Sequence, residues 1–387
     1  MASIVSDNLG QDVRACWQID RSNSHRSTVS LFTVTGTAGS KVQNVIVKQQ
    51  KAREEEPYGP SVPQGPAWRL FNEWAALAFI QEECPPPRMS PELIGGNREH
   101  GFLVLEDLGE DADRSLHQRD SEAAENYLTE LVRSAGRLHA QTADRQQDYY
   151  ALRQSFGPTQ PDFLSVVATP DPHTDPGQRL RNWWPAICNT FGTKPHAESE
   201  TNLDTVAHSI GNPGAFGSLT HGDFVPGNDL RSNSIRKLFD FEIADYRHAL
   251  LDGAADPSIF HRGGRGEAIP MAVQTRLRNA YRQELVTGCR EAADDHRFFA
   301  EVTRACIYRS LFQLHSILRS DLLTVNHNWG STTEWHRILK ALNAIIWTSS
   351  EYTHLEAIGE TARRIQKKLI DLWPPEVHTT PYFPAFT

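Results

Sequence analysis

One short stretch constrains this chain more than any other. Its residues are Leu219-Thr220-His221-Gly222-Asp223-Phe224-Val225-Pro226-Gly227-Asn228-Asp229-Leu230, followed by Leu238-Phe239-Asp240-Phe241-Glu242. Asp223 is followed first by the carboxamide of Asn228 and then by the carboxylate of Asp240. One carboxylate can orient or deprotonate an attacking hydroxyl, while the other two side chains offer hard oxygens to Mg²⁺ ions that bridge nucleotide phosphates. The spacing therefore predicts metal-assisted phosphoryl transfer.

The same residues carry a resemblance to a known family. His221-x-Asp223-x-x-x-x-Asn228, followed by Asp240, resembles the catalytic loop and the metal-binding Asp of the protein-kinase-like fold. The His-Gly-Asp variant, with Glu242 two residues after Asp240, is similar to the aminoglycoside phosphotransferase and choline kinase branch, which phosphorylates small molecules. Asp, Asn, Gly and Pro also gather in turns for conformational reasons alone, so a turn without chemistry explains this stretch taken by itself.

The resemblance implies a set of site residues and cofactors. The implied catalytic residues are His221, Asp223, Asn228 and Asp240. The implied Mg²⁺ ligands are Asn228 and Asp240, and the implied phosphoryl donor is ATP or GTP. Glu242 is a further candidate for the metal surroundings. The implied acceptor is a small-molecule alcohol, such as an aminoglycoside or a choline-like compound.

Upstream, short alternating runs rich in β-branched residues predict the five strands of a small N-terminal lobe. The runs are residues 13–19, 28–34, 42–48, 92–96 and 101–105. The polar connection at 20–27 contains no glycine, although it stands where kinase-like folds place a phosphate-covering loop. The resemblance makes Ser24 and Ser27 candidate phosphate contacts, while an ordinary hairpin loop explains the same composition.

Lys48 and Glu73 occur in the order that the same fold requires. Lys48 closes the third predicted strand, and Glu73 lies beside the apolar face of a helix predicted at 67–83. Taken alone, both side chains are explained as solvated charges. In the kinase-like fold a Glu from this helix pairs with the strand Lys and holds it toward the nucleotide phosphates. The resemblance therefore implies that Lys48 and Glu73 belong to the nucleotide site.

The fifth predicted strand ends in Glu106-Asp107-Leu108-Gly109. This segment resembles the place where kinase-like chains cross from the small to the large lobe. Adenine binds backbone groups in that crossing, so the resemblance implies contacts to the Glu106 carbonyl and the Leu108 N–H. Residues 49–66, which are rich in Pro, Gly and charge, are predicted to form a surface insertion.

A mostly helical large lobe is predicted from residue 109 onward. Apolar residues recur at helical spacing in residues 121–141 and through much of 271–371. The first of these helices ends near His139, which we expect to be a core residue, and Asp252 matches the family position that supports the catalytic loop. The prediction is an α+β, protein-kinase-like fold with a nucleotide-binding lobe at 1–108 and a catalytic, substrate-binding lobe at 109–387.

Composition narrows the class of protein further. At 387 residues, two lobes or domains are expected, and the net charge of -9 disfavours nucleic-acid binding. No apolar run approaches the length of a membrane span, and the N-terminus lacks the basic and apolar regions of a secretion signal. A cytoplasmic location is therefore expected. The five scattered cysteines argue against a disulfide framework or a zinc site.

The acceptor class and two other functions remain open on the sequence. Asp240-Phe241-Glu242 replaces the Asp-Phe-Gly that begins the activation loop of protein kinases, which favours a small-molecule acceptor. A catalytically silent protein of the same fold and a metal-dependent hydrolase are the alternatives. We also predict an acidic, partly aromatic acceptor cleft that would suit a cationic alcohol. Its expected members are Trp183, Trp184, Asp245, Glu291, Asp294 and Asp295.

Overall fold

The computed structural model of this chain places most of its residues. The described residues are 1–9, 12–24, 26–36, 43–51, 58–61, 67–110, 113–157, 175–232, 235–255 and 266–387. The insertion predicted at 49–66 therefore lies mostly outside the described residues.

Five antiparallel strands form the N-terminal sheet. They are β1 (Val13–Asn23), β2 (Ser27–Gly36), β3 (Gln43–Gln50), β4 (Leu93–Asn97) and β5 (Phe102–Glu106), in the spatial order β1-β2-β3-β5-β4. Because side chains alternate along each strand, one face of the sheet carries Lys48 and the other face is apolar. All five predicted strands are confirmed, although β1 extends to Asn23 rather than ending at residue 19.

A short helix that the sequence pattern did not reveal, α1 (Ala2–Leu9), covers the outer face of this sheet. The apolar cluster that it completes consists of Val5, Val34, Val45, Ile94 and Val104. Eight residues give too few turns for a clear helical periodicity, so α1 could not be predicted from pattern alone.

Helix α2 (Ala67–Glu83) joins β3 to β4, as predicted, and is buried along most of its length. It packs against the sheet on one side and against α4 (Gln146–Phe156) on the other. Arg153 of α4 is 3% exposed, and its Nε donates to Asn72 Oδ1 at 2.6 Å. Helix α2, and with it Glu73, is thereby held by both parts of the fold.

The C-terminal part is mostly helical. Besides α4, its helices are α3 (Ser121–Gln141), α5 (Pro176–Thr190), α6 (Ser199–Gly211), α7 (Met271–Leu285), α8 (Asp295–Ser316), α9 (Glu334–Glu351) and α10 (Glu356–Leu372). A short hairpin of β10 (Asn328–Trp329) and β11 (Thr332–Thr333) precedes α9. Helix α3 begins as predicted, with Asp120 Oδ1 accepting from Ala123 N at 3.0 Å. The predicted α+β organisation, with a five-stranded N-terminal sheet followed by a mostly helical part, is confirmed.

Two small sheets frame the motif at 219–242. Strand β6 (Gly217–Thr220) pairs with β9 (Asp245–His248), and β7 (Asp229–Ser232) pairs with β8 (Ile235–Leu238). Residues 221–228 therefore form the loop between β6 and β7, which we call the catalytic-loop segment. Residues 239–244 form the loop between β8 and β9, so the two loops lie side by side.

Gly136 marks a close approach of α3 to α7. A Cβ at this position would lie 2.6 Å from the backbone oxygen of Tyr281 and 2.9 Å from Glu284 Cβ. We expect Gly136→Ala to lower the free energy of unfolding by about 1–3 kcal/mol, because the overpacking outweighs the better helix propensity of Ala. Chemical denaturation would measure this change.

Gly211 provides the matched control for that substitution. It is the last residue of α6, and among the described residues outside its own helix the nearest atom to a Cβ there would be Pro176 Cγ, at 3.8 Å. Gly211→Ala should leave the free energy of unfolding unchanged or raise it slightly. An equal effect of the two substitutions would contradict the close packing of α3 on α7.

Candidate active site

The catalytic-loop segment turns sharply at Gly222. This residue has a φ of +80°, and a Cβ there would lie 2.4 Å from the backbone oxygen of Ile243. Only glycine accommodates both the left-handed backbone and the close approach. The glycine in His-Gly-Asp is therefore required by the fold of the loop.

Buried His221 joins the two loops of the site. Its Nε2 lies 2.8 Å from the backbone oxygen of Phe239, and its Nδ1 accepts from Asp223 N at 3.2 Å. Because Nδ1 accepts, the ring proton belongs on Nε2, where it is donated to Phe239 O. Both ring nitrogens are thus engaged with backbone, which gives His221 an orienting task.

Asp252 supports the catalytic-loop segment from below, at the position that the resemblance implies. Its Oδ2 accepts from His221 N at 2.7 Å, and its Oδ1 accepts from Gly222 N at 2.8 Å. His139 Nε2 lies 3.0 Å from Oδ2, and His139 Nδ1 lies 2.8 Å from Tyr281 OH. Burial raises the pKa of Asp252, but the hydrogen bond and charge of His139, with His221 and the Gly222 N–H, outweigh burial and lower the pKa to about 2. His139 is a core residue, as expected.

Asn228 braces Asp223 within the same loop. Asn228 Nδ2 donates to Asp223 O at 2.9 Å and lies 3.4 Å from Asp223 Oδ2. Asn228 O accepts from Phe239 N at 3.0 Å, which places the backbone of Asn228 beside the residue that precedes Asp240. Because the carboxamide N–H is directed at Asp223, its Oδ1 is the atom available to a metal. The structure thus gathers Asp223, Asn228 and Asp240 in adjacent loops.

Lys48 lies between two carboxylates that come from different parts of the chain. Its Nζ is 2.6 Å from Glu73 Oε2 and also contacts Asp240 Oδ1. Lys48 is 7% exposed and Glu73 is 1% exposed. Burial lowers the pKa of Lys48, but Asp240 and Glu73 together outweigh burial and raise it. Burial raises the pKa of Glu73 to about 7, against the opposing charge of Lys48.

Asp240 and Glu242 are held differently. Asp240 has a φ of +69°, a left-handed conformation that costs a non-glycine residue energy and is common at functional sites. Glu242 accepts from Arg69 Nη1 at 2.8 Å, and Arg26 Nη1 lies 3.9 Å away.

Arg69 was not predicted as a site residue. Its position four residues before Glu73 on α2, one helical turn earlier, is the signal that could have identified it.

An apolar surface surrounds Lys48 on its face of the sheet. Val29 and Leu103 are the cross-strand partners of Lys48, and Leu31 and Leu105 are the partners of Ile46, two residues earlier. Cross-strand partners share a face, so these side chains flank the ammonium. Ile19 of β1 pairs with Leu31, lies on the same face and is 53% exposed. The sequence reasoning did not identify this surface, which follows only from the register.

The crossing after β5 is fixed by side chains. Glu106 Oε2 accepts from Glu92 N at 2.9 Å and from Lys237 Nζ at 2.5 Å. Arg21 of β1 donates to Asp107 Oδ1 at 2.5 Å and to Gly109 O at 3.0 Å. The side chain of Glu106 is therefore occupied. Base recognition by the Glu106 and Leu108 backbone stays a prediction.

Ser24 and Ser27 lie at the tip of the β1–β2 hairpin. Ser24 Oγ accepts from Ser27 N at 3.0 Å, and Ser24 O accepts from Lys51 Nζ at 2.6 Å. Ser27 pairs with Gln50, so it lies on the Lys48 face, about 7 Å further toward the tip at two residues of strand rise. A phosphate contact by Ser27 stays a prediction.

The predicted aromatic part of the acceptor cleft is wrong. Trp183 and Trp184 are 1% and 3% exposed and belong to the main apolar core, where Trp183 packs against Tyr308 and Phe312. The 3/4 spacing of apolar residues in α5 buries both indoles, since one amphipathic face cannot also line a solvent-filled cleft. Asp294 caps α8 by accepting from Arg297 N at 2.8 Å.

The side-chain oxygens of Asn228 and Asp240 suit a Mg²⁺ ion whose remaining ligands come from a nucleotide and water. Within the described ranges, no group of three or more His, Cys, Asp or Glu side chains could hold a metal ion. Asp240 and Asn228 supply one carboxylate and one carboxamide oxygen, and Mg²⁺ typically takes one or two protein ligands and fills its octahedron with phosphate and water. The residues therefore fit a metal that arrives with phosphates.

No helix in the described part of the chain has the length and apolarity to cross a membrane.

Comparisons with known proteins find similarity in structure and none in sequence. No family model and no curated protein matches the sequence. One similar solved structure is an amicoumacin kinase in complex with AMP-PNP and Ca²⁺, at 13% identity and a TM-score of 0.44, covering 96% of this chain and 92% of that chain. A choline kinase from Cryptosporidium parvum gives 10% identity and a TM-score of 0.41, covering 93% and 90%.

An aminoglycoside 3′-phosphotransferase of type VIII gives 16% identity and a TM-score of 0.38, covering 78% of this chain and 93% of that chain. The last two proteins have the names of the branch that the sequence resembles. At this level of similarity the matches carry no argument about activity, which has to be inferred from the site.

Removing the Lys48 ammonium tests the buried ion pair. Lys48→Met should lower the free energy of unfolding by about 3–5 kcal/mol, because it leaves Glu73 buried without its partner. Since burial raises the folded-state pKa of Glu73 above its unfolded value, this variant should gain stability as the pH falls. Lys48→Met combined with Glu73→Gln should recover much of the loss. Chemical denaturation at several pH values measures both effects.

Lys51→Met is the matched control. Lys51 lies just beyond β3 and donates to Ser24 O at the hairpin tip rather than to a buried carboxylate. Its loss should change the free energy of unfolding by no more than about 0.5 kcal/mol. Failure of Glu73→Gln to rescue Lys48→Met would show that the pair is not the source of the loss.

Proposed function

We propose that this protein is a small-molecule kinase that transfers the γ-phosphoryl group of ATP or GTP to a hydroxyl of a small acceptor. One observation carries the proposal: the Lys48 ammonium lies between Glu73 and Asp240, beside the loop that holds Asp223 and Asn228. The positive charge of Lys48 is suited to phosphates, because an anionic ligand can replace Asp240 as its hydrogen-bond acceptor. In this proposal residues 1–108 bind the nucleotide and residues 109–387 supply the catalytic and acceptor groups.

The nucleotide base would occupy the apolar surface around Lys48. Leu31, Ile46 and Leu105 lie on the same face of the sheet as the ammonium, and exposed Ile19 extends that face. The Glu106 carbonyl and the Leu108 N–H would read the base edge, as the resemblance implies. Phosphates would then extend toward Lys48, with Ser27 and the hairpin tip beyond them.

Asp223 would act on the acceptor hydroxyl. Asn228 fixes the backbone of Asp223, and Asp252 and His221 fix the turn before it, so the carboxylate is held before substrate arrives. Its oxygen would accept the hydroxyl proton as the acceptor oxygen bonds to the γ-phosphorus and the bond to the β-phosphate oxygen breaks. A bound Mg²⁺, held by Asn228 and Asp240, would neutralise phosphate charge. His221 would keep Asp223 aligned with the loop that carries Asp240.

The competing functions differ in what becomes of the nucleotide. A kinase consumes ATP or GTP when the correct alcohol is present, a silent protein binds nucleotide without consuming it, and a metal-dependent hydrolase acts without nucleotide. The hydrolase leaves the Lys48–Glu73 pair and the apolar surface without a role. Nucleotide consumption over a panel of small alcohols, with and without Mg²⁺, separates the three. Consumption that needs no alcohol or no metal would refute the proposal.

Replacing the Asp223 carboxylate tests its proposed role as the group that accepts the acceptor proton. Asp223→Asn should lower kcat by about 10²–10⁴-fold, because the lost interaction is made to the acceptor proton in the transition state. Nucleotide affinity should stay nearly unchanged, since Asp223 does not contact the nucleotide in this proposal. Asp371→Asn, on the exposed surface of α10, is the control and should keep full activity. Normal turnover by Asp223→Asn would exclude the assigned role.

The charge of the acceptor is a separate prediction. The chain carries a net charge of -9, and Asp245 pairs with Thr220 at the start of the catalytic-loop segment. Excess negative charge concentrates cations and raises their capture rate, with less effect at high salt. We therefore expect an amine-bearing alcohol, such as an aminoglycoside or choline-like compound. A thermal-shift screen of cationic, neutral and anionic alcohols with nucleotide and Mg²⁺, at low and high salt, decides it. Stabilisation only by neutral or anionic alcohols would contradict the prediction.

A further inference from the structure

A buried carboxylate next to Asn228 has no task in the proposed chemistry. Asp229 begins β7 and is 3% exposed. Its carboxylate lies behind the catalytic-loop segment, among side chains of α3 and β8. A buried charge is tolerated only when it is paired and hydrogen-bonded, so its surroundings indicate what it holds in place.

Both oxygens of Asp229 are engaged. Oδ1 accepts from Tyr127 OH at 2.9 Å and from Gly227 N at 3.2 Å, while Oδ2 accepts from Arg236 Nη1 at 2.6 Å. Gly227 immediately precedes Asn228, and Asp229 immediately follows it. The Asp229 carboxylate therefore links the two residues that flank Asn228. The orientation of Asn228 is therefore fixed from both neighbours.

Arg236 extends this contact to the rest of the protein. It is 3% exposed, donates from Nη2 to Asp113 Oδ2 at 2.5 Å and lies 4.2 Å above the ring of Tyr127. Its backbone oxygen accepts from Ser134 Oγ of α3 at 2.9 Å. The β7–β8 hairpin is thereby anchored to α3 and to the chain that follows the lobe crossing.

The anchor lies at the end of the hairpin that carries both proposed metal ligands. Asp229 and Leu238 are cross-strand partners, Asn228 immediately precedes β7, and Asp240 follows β8 by two residues. The hydrogen bond from Phe239 N to Asn228 O closes the same end. A shift of this hairpin relative to α3 would therefore displace Asn228 and Asp240 from the phosphates.

We propose that Asp229 is a positioning residue which, through Tyr127 and Arg236, sets the placement of Asn228 and Asp240 for the metal–nucleotide complex. The inference rests on the proposed function. It assigns to Asp229 an effect on metal-dependent binding, whereas a residue that only stabilises the fold would weaken every binding equilibrium through loss of folded protein.

Calorimetry with a non-hydrolysable ATP analogue, with and without Mg²⁺, tests the assignment. Asp229→Asn keeps the shape and the acceptor for Tyr127 but removes the charge that faces Arg236. We expect it to reduce the Mg²⁺-dependent tightening of nucleotide binding by about 10- to 100-fold, the usual effect of removing a residue that orients a metal ligand. Affinity for the nucleotide without metal should stay the same. Asp240→Ala, which removes a ligand outright, sets the upper limit of the effect.

Arg231→Gln is the matched control. Arg231 lies on the same strand and pairs with Glu130 of the same helix, but the arginine side chain is 54% exposed. Exposed pairs of this kind contribute little, so Mg²⁺-dependent binding should be that of the parent protein. Tyr127→Phe is the milder second variant, since it removes one hydrogen bond to Asp229 and keeps the ring beneath Arg236. It should show a smaller loss in the same direction.

The outcomes separate the two levels of the proposal. Full Mg²⁺-dependent tightening in both Asp229→Asn and Tyr127→Phe would overturn the positioning role while leaving the kinase proposal intact. Absence of any nucleotide binding by the parent protein would instead overturn the kinase proposal, and the positioning role with it. If Asp229→Asn does not fold, the result for Tyr127→Phe decides, because that variant retains the buried ion pair.

Discussion

The structure depends on one charge cluster, in which the buried Lys48 ammonium contacts buried Glu73 and partly exposed Asp240. Burying the charges of Lys48 and Glu73 is unfavourable, and their attraction offsets this cost only if both side chains are held accurately. Several features of the fold serve that end. Helix α2 is fixed against both the sheet and α4, the strand register places Lys48 opposite Val29 and Leu103, and Asp240 is held in a left-handed conformation. A cluster so constrained is poor evidence for stability and better evidence for a binding task.

The loop that holds Asp223 is braced from several directions. Asp252 accepts hydrogen bonds from the N–H groups of His221 and Gly222, and Asn228 Nδ2 donates to the backbone oxygen of Asp223. Gly222 allows the loop to approach Ile243 O more closely than any side chain would permit. These contacts hold the loop in one conformation. If Asp223 has the proposed role, its carboxylate is therefore preorganised, which reduces the reorganisation that a reaction requires.

Sequence reasoning recovered the elements whose pattern is local. Helices α2 and α3 span residues 67–83 and 121–141, as periodicity predicted, and Lys48 and Glu73 meet, as the resemblance implied. It failed where information is non-local or weak. Helix α1 is too short to show a period, and the apolar surface around Lys48 exists only through strand register. The Trp183-Trp184 pair was misassigned because a sequence cannot tell an aromatic that fills a core from one that lines a cleft. The contacts of Arg69 with Glu242 and of Asp229 with Tyr127 join residues far apart in the chain, so the sequence did not reveal them.

In the proposed site Asn228 and Asp240 supply two oxygen ligands to a metal whose other ligands are nucleotide phosphates and water. Its most direct test is a titration of Mn²⁺, a paramagnetic substitute for Mg²⁺, followed by water-proton relaxation with and without a non-hydrolysable triphosphate. Mn²⁺ should bind weakly to the protein alone, because two protein ligands do not hold such an ion tightly, and much more tightly once the triphosphate is present. Equally tight Mn²⁺ binding without nucleotide would contradict it, since that would mean a self-contained metal centre of the kind a hydrolase uses.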